Sequence, residues 1–227
     1  MSTSNWHRDL FEGNSAKFAV ASTLAILVGG IVEIVPMYAV GDAAPLMEPY
    51  TPLEQAGRDI YVREGCYTCH SQMVRPLEHE TLRYGPAAEA WEYTYDRPFQ
   101  LGSRRIGPDL QRVGGKYPDA WHWNHLLDPR STSPGSVMPT YGWLLVDEVD
   151  PADVTASIGA LATLGHPYPD TSEVGVTRLL DEQAAGIVTS LAGARIEANP
   201  RSEAVAMIAY LQRLGSDLKK QTAEVTP

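Results

Sequence analysis

Residues 66–70 read Cys-Tyr-Thr-Cys-His, and Cys66 and Cys69 are the only cysteines among 227 residues. Two thiols three positions apart on a helical turn can each bond one vinyl group of a porphyrin. The adjacent imidazole, His70, then lies under the iron as its proximal ligand. This is the attachment pattern of haem c. A disulfide or half of a zinc site would use the same thiols. A closed zinc site normally takes four ligands, and the chain has no second cysteine pair. A thioredoxin-type pair would sit in a βαβ setting, and that pattern is missing.

The opposite axial position needs a ligand from elsewhere in the chain. Met47, Met73, Met138, Met207, His79, His122, His125 and His166 are the candidates. Met138 is favoured. It precedes Pro139 in a stretch, residues 129–142, rich in Ser, Pro and Gly, and such a loop can fold over a haem face. A thioether ligand favours ferrous iron and raises the potential. Met73 is too near His70 in sequence to reach the opposite face easily. Met207 falls on the apolar face of a helix and reads as core. His122 and His125 remain the serious rivals. The turn Gly107-Pro108-Asp109-Leu110 can offer a carbonyl, with Pro108 at its centre, to orient the proximal imidazole. Arg75, Arg104, Arg105 and Arg112 are available for haem propionates, with Arg75 and Arg105 singled out.

Helices must position these groups. Residues 53–65, LEQAGRDIYVREG, place Ala56, Ile60 and Tyr61 on one face and lead straight into the motif. Residues 204–214, AVAMIAYLQRL, repeat the helical spacing, with Gly215 as a stop. The two helices are expected to cross, with Gly57 allowing close approach to the Tyr210 region.

Residues 18–40 form an apolar run carrying one charge, Glu33. As a helix they span roughly 34 Å, enough to cross a bilayer. The run exceeds a signal-peptide core and follows a long, polar leader, so it reads as a retained anchor. Arg8 and Lys17 precede it, and Asp42, Glu48 and Glu54 come before the next basic residue, Arg58. The positive-inside rule then places residues 1–17 in the cytoplasm and residues 41–227 outside, in a bacterial periplasm. Glu33 reaches the interface by snorkelling or faces another membrane subunit. The net charge of −10 argues against nucleic acid as a partner.

The runs 69–76 (CHSQMVRP) and 83–144, GGIVEIVP (29–36) and AYLQRLG (209–215) resemble the mono-haem c subunit of bacterial cbb3-type cytochrome c oxidases. The resemblance covers nearly the whole chain. It implies an all-α fold: one membrane helix, then a class I cytochrome c-like domain with long loops. It implies one covalent haem on Cys66 and Cys69, with His70 and Met138 on the iron. It implies electron transfer from a di-haem cytochrome c subunit or a soluble cytochrome c to the b-type haem of a catalytic haem–copper subunit in the inner membrane. Residues 84–102, with Trp91, Tyr93, Tyr95 and Phe99, would be the family's insertion against that subunit. A calcium ion near the propionates, approached by Gly102 and Ser103, is a further implication. Residues 150–200 depart from the family pattern, and their helix over 173–191 is expected to decorate the domain.

Overall fold

The structure is a computed structural model that describes residues 7–8, 13–39, 47–102 and 104–225. It is all-α: 59% of the chain is helical, with no strand among the described residues. The chain divides into two compact units, Met1–Ala43 and Ala44–Pro227.

The first unit contains α1 (Ser15–Ala39). Its segment Ser15–Val35 has a mean hydropathy of 2.2, long and apolar enough to cross a membrane. The expected anchor thus begins three residues earlier than the apolar run; Val40 lies outside the described residues.

The second unit begins its helices with α2 (Pro52–Arg63). Thr51 and Glu54 close a reciprocal capping box at its start, and Pro52 occupies the first turn. Then come α3 (Glu78–Tyr84), α4 (Asp119–Leu127), the single turn α5 (Pro129–Thr132), α6 (Pro151–Thr163) and α7 (Glu173–Gly193). The chain ends with α8 (Glu203–Arg213) and α9 (Ser216–Val225), separated by Gly215 at φ 76°. Short 3₁₀ turns cover Cys66–Thr68, Ala90–Tyr93 and Gly142–Leu145.

The most extensive helix contact is α2 against α8. Leu53, Ile60 and Tyr61 meet Ile208, Ala209 and Tyr210 within one buried cluster. Gly57 makes the crossing possible, because a Cβ there would run into the Ala206 carbonyl and the Tyr210 Cβ. Backbone cannot yield as a flexible side chain can. Gly57→Ala is therefore expected to destabilise the domain by about 3 kcal/mol, read as a lower midpoint in urea unfolding.

Helix α7 is not a decoration. It touches α2, α4, α6 and α8, and buries Val176, Leu180, Ala184 and Leu191 completely. Its apolar positions follow a helical period and supply one wall of the core. Residues 84–102 are likewise fastened to their own chain. Arg112 holds Glu92 with Nη2–Oε1 at 2.7 Å, and Arg58 Nε lies 2.6 Å from Asp96 Oδ1. Tyr93 is buried and its hydroxyl donates to the Gln72 carbonyl at 2.8 Å. Trp91 and Tyr95 are half-buried. Phe99, 61% exposed, is the one of the four aromatics that solvent reaches freely. With three of the four at least half-buried against their own chain, these aromatics do not by themselves require a partner.

Candidate haem site

Glu64 caps α2, and the chain turns directly into the 3₁₀ segment carrying Cys66. The backbone N–H groups of Cys69 and His70 both donate to the Cys66 carbonyl, at 3.1 and 2.9 Å. One tight turn thus carries both thiols and the imidazole. The cysteines are not bonded to each other. Burial pushes the Cys66 thiol up to about 12, so it stays protonated at neutral pH.

The His70 ring is held from two sides. Its Nδ1 lies 2.9 Å from the Pro108 carbonyl, which accepts the N–H. Nε2 then carries the lone pair, the tautomer a metal ligand requires. Burial lowers the His70 pKa, which favours this neutral ring. On the other side the ring lies against Gly107, where any Cβ would collide with it.

Residues 107–111 are fastened to 69–73 by Asp109. Its buried carboxylate accepts from Ser71 Oγ at 2.6 Å, Met73 N at 2.8 Å and Gln111 N at 2.9 Å. Gly107 N donates to the Cys69 carbonyl at 2.9 Å. Sequence reasoning placed the Gly-Pro turn here but missed the carboxylate that docks it. The signal was the Asp directly after Gly107-Pro108, at a position where a side chain can cap neighbouring N–H groups.

Arg75 and Arg105 converge on the buried carboxylate of Glu80. Arg105 also donates to Ser71 Oγ at 2.7 Å and to the Met73 carbonyl at 2.6 Å, so all three of its nitrogens are engaged. Arg75 remains half-exposed. Arg112 is committed to Glu92. The Arg105 guanidinium, with Arg75 beside it, holds the Glu80 carboxyl down at about 2, against 4.5 ordinarily. A carboxyl depressed on folding stabilises the protein while it is ionised. That contribution is complete above pH 4.5 and is lost as pH falls toward 2. Glu80→Gln should lower the melting temperature at pH 7 and flatten its decline over that acid range; melts at stepped pH read both.

Met138 is half-buried and packs against the core cluster, as do Cys66, Leu110 and Tyr141. Tyr141 follows in the same loop, and its hydroxyl titrates above its usual range through burial and the nearby Cys66 and Cys69. The loop therefore passes beside the attachment turn. Met207, 2% exposed, is core. His79 is exposed, and Met47 is half-buried near the start of the unit. Met73 is half-buried, its backbone tied to Asp109 and Arg105. His166 is buried between Tyr95 and Tyr168. His122 is buried with its Nε2 unpartnered, edge-on to Trp121. His125 is bonded to Thr132 Oγ1 at 2.6 Å. Ser103, the expected calcium contact, lies outside the described residues.

Other sites fit the motif less well. Among the described residues no three His, Cys, Asp or Glu side chains gather to hold a metal ion, so the thiols lack the partners of a zinc site. The surface clefts lined by α2, α8 and α9 and by α2 and α6 contain no thiol, imidazole or thioether. The unpaired thiols, the oriented imidazole and the Gly107 cradle fit a haem.

A family model described as cytochrome c oxidase, mono-heme subunit/FixO, matches residues 7–218. The chain belongs to this family. No curated protein matches the chain. The mono-haem subunit family implies one haem, and membership of a cytochrome c oxidase complex with catalytic partners. In this member the two thiols and the oriented imidazole lie at one turn, between the end of α2 and the 107–111 segment.

Proposed function

We propose that the chain is the electron-relay subunit of a cbb3-type haem–copper oxidase. Cys66 and Cys69 would hold one haem through thioether bonds, and His70 and Met138 would be the residues that ligate its iron. The observation that carries the reading is the His70 Nδ1–Pro108 carbonyl bond beside two unpaired thiols. When bound, the haem supplies a one-electron Fe(III)/Fe(II) couple.

The chain's own residues do the rest. The Pro108 carbonyl fixes the His70 ring and strengthens it as a donor. The Met138 thioether favours the ferrous state. Arg75, the freer of the two arginines on Glu80, is the propionate partner, and Arg105 braces the site through Ser71 and Met73. The subunit accepts an electron from the di-haem subunit or a soluble cytochrome c, and delivers it to the b-type haem of the catalytic subunit for oxygen reduction. No substrate bond changes on this chain. A calcium ion at the interface with that subunit completes the reading. α1 anchors the chain in a bacterial inner membrane. The basic residues before it keep the N-terminus cytoplasmic, and the acidic flank after it faces the periplasm. A stand-alone anchored shuttle would use the same haem site but belongs to a different kind of protein from an oxidase subunit.

The test is the alkaline pyridine spectrum of the purified chain, with haem staining after denaturing electrophoresis. One haem c per chain that survives denaturation is expected. Haem extracted by acidic acetone would contradict covalent attachment.

A further inference from the structure

The rings of Tyr117, just before α4, and of Trp121 and His125 on it stack in series. Their centroids are 4.1 and 4.5 Å apart, with planes within 14° and 12°. Residues 121 and 125 are four apart on one helix, so α4 itself sets that spacing. The stack fixes the plane of the His125 imidazole. Its Nδ1 lies 2.6 Å from Thr132 Oγ1, and that hydroxyl donates to the Pro129 carbonyl at 3.3 Å. A threonine hydroxyl has one proton. Both bonds are satisfied when His125 Nδ1 donates to Thr132 and Thr132 donates onward.

Thr132 is the last residue of α5, at the entrance to the loop that carries Met138. Beyond Met138, the Tyr141 N–H donates to the Leu126 carbonyl at 2.8 Å. The loop is therefore tied back to α4 at both ends. The second tie is backbone and survives most substitutions. The first rests mainly on the side chains of His125 and Thr132, with Ser131 Oγ making only a long contact, 3.5 Å, to the Asn124 carbonyl.

We propose that His125 is a positioning residue: through Thr132 it holds the Met138 loop in place and so keeps the thioether on the iron. The inference rests on Met138 as the distal ligand, as proposed above. A loop fixed at one end and loose at the other would let Met138 leave more often, and the open position would then accept an added ligand.

The experiment titrates the full, haem-loaded ferric protein with imidazole and follows the visible spectrum. Thr132→Val keeps the side-chain shape and removes the hydroxyl. Thr132→Val and His125→Ala should each raise the apparent imidazole affinity about tenfold, through a larger open fraction. The double variant should do no more than either one, since both cut the same tie. His125→Asn, whose amide N–H can replace that of Nδ1, should return the affinity toward wild type. Met138→Ala should raise it most. Unchanged imidazole affinity in Thr132→Val and His125→Ala, with Met138→Ala raised, would overturn the positioning role while leaving the ligand assignment standing. A fall in melting temperature alone would not rescue the role. Wild-type affinity in Met138→Ala would overturn both.

Discussion

Cys66→Ala combined with Cys69→Ala should yield a chain with no haem after denaturing electrophoresis and a markedly less stable second unit. The first effect follows from chemistry: these are the chain's only thiols, and each thioether bond uses one of them, so removing both leaves none. The second follows from packing. Cys66, Leu110, Met138 and Tyr141 are only half-buried at the edge of the core, and a haem held as proposed would cover their remaining apolar surface. Losing cover over roughly 200 Å² of apolar surface costs about 5 kcal/mol. That is a large share of a small domain's stability. Haem staining and urea unfolding of the same preparations read the two effects separately. A double variant that keeps stainable haem would refute the attachment, and one that unfolds like wild type would refute the packing.

Met138→Ala should lower the midpoint potential by on the order of 100 mV, a change of roughly fifty-fold in ferrous preference at 59 mV per tenfold for one electron. The physical cause is loss of a soft thioether that stabilises ferrous iron. The variant should also bind carbon monoxide when reduced, because no strong ligand blocks the distal position. Redox titration and the reduced spectrum under carbon monoxide check both. An unchanged potential would move the distal ligand to His122 or His125. His122 already has an unpartnered buried Nε2, and burial holds its pKa down at about 4, so it is neutral and able to ligate.

The parts of this fold that were legible in the sequence were local. The periodicity of residues 53–65 and 204–214, with a glycine at 57, gave α2, α8 and their crossing. The five residues from Cys66 to His70 marked the candidate site, and the Gly107-Pro108 turn marked the carbonyl that the His70 ring meets. The rest depends on partners far apart in the chain. Arg112 and Glu92, or Arg58 and Asp96, carry no mark of their pairing in the sequence, so the burial of Tyr93 could not be foreseen. The helix at 173–193 looked like an addition because its family pattern was weak, yet its Val176, Leu180, Ala184 and Leu191 are core residues. Nothing in the sequence marks Glu80 and Asp109 as buried; the fold places arginines, hydroxyls and amides around them.

The most direct test of the central claim is purification of the tagged chain from its native membrane in mild detergent, with haem, copper and oxygen-uptake measurements on what accompanies it. The account predicts a many-spanning subunit carrying b-type haem and copper, and a preparation that consumes oxygen when given a reductant. A chain that arrives alone, with one haem c and no oxygen uptake, would contradict the relay role and favour an independent membrane-anchored shuttle.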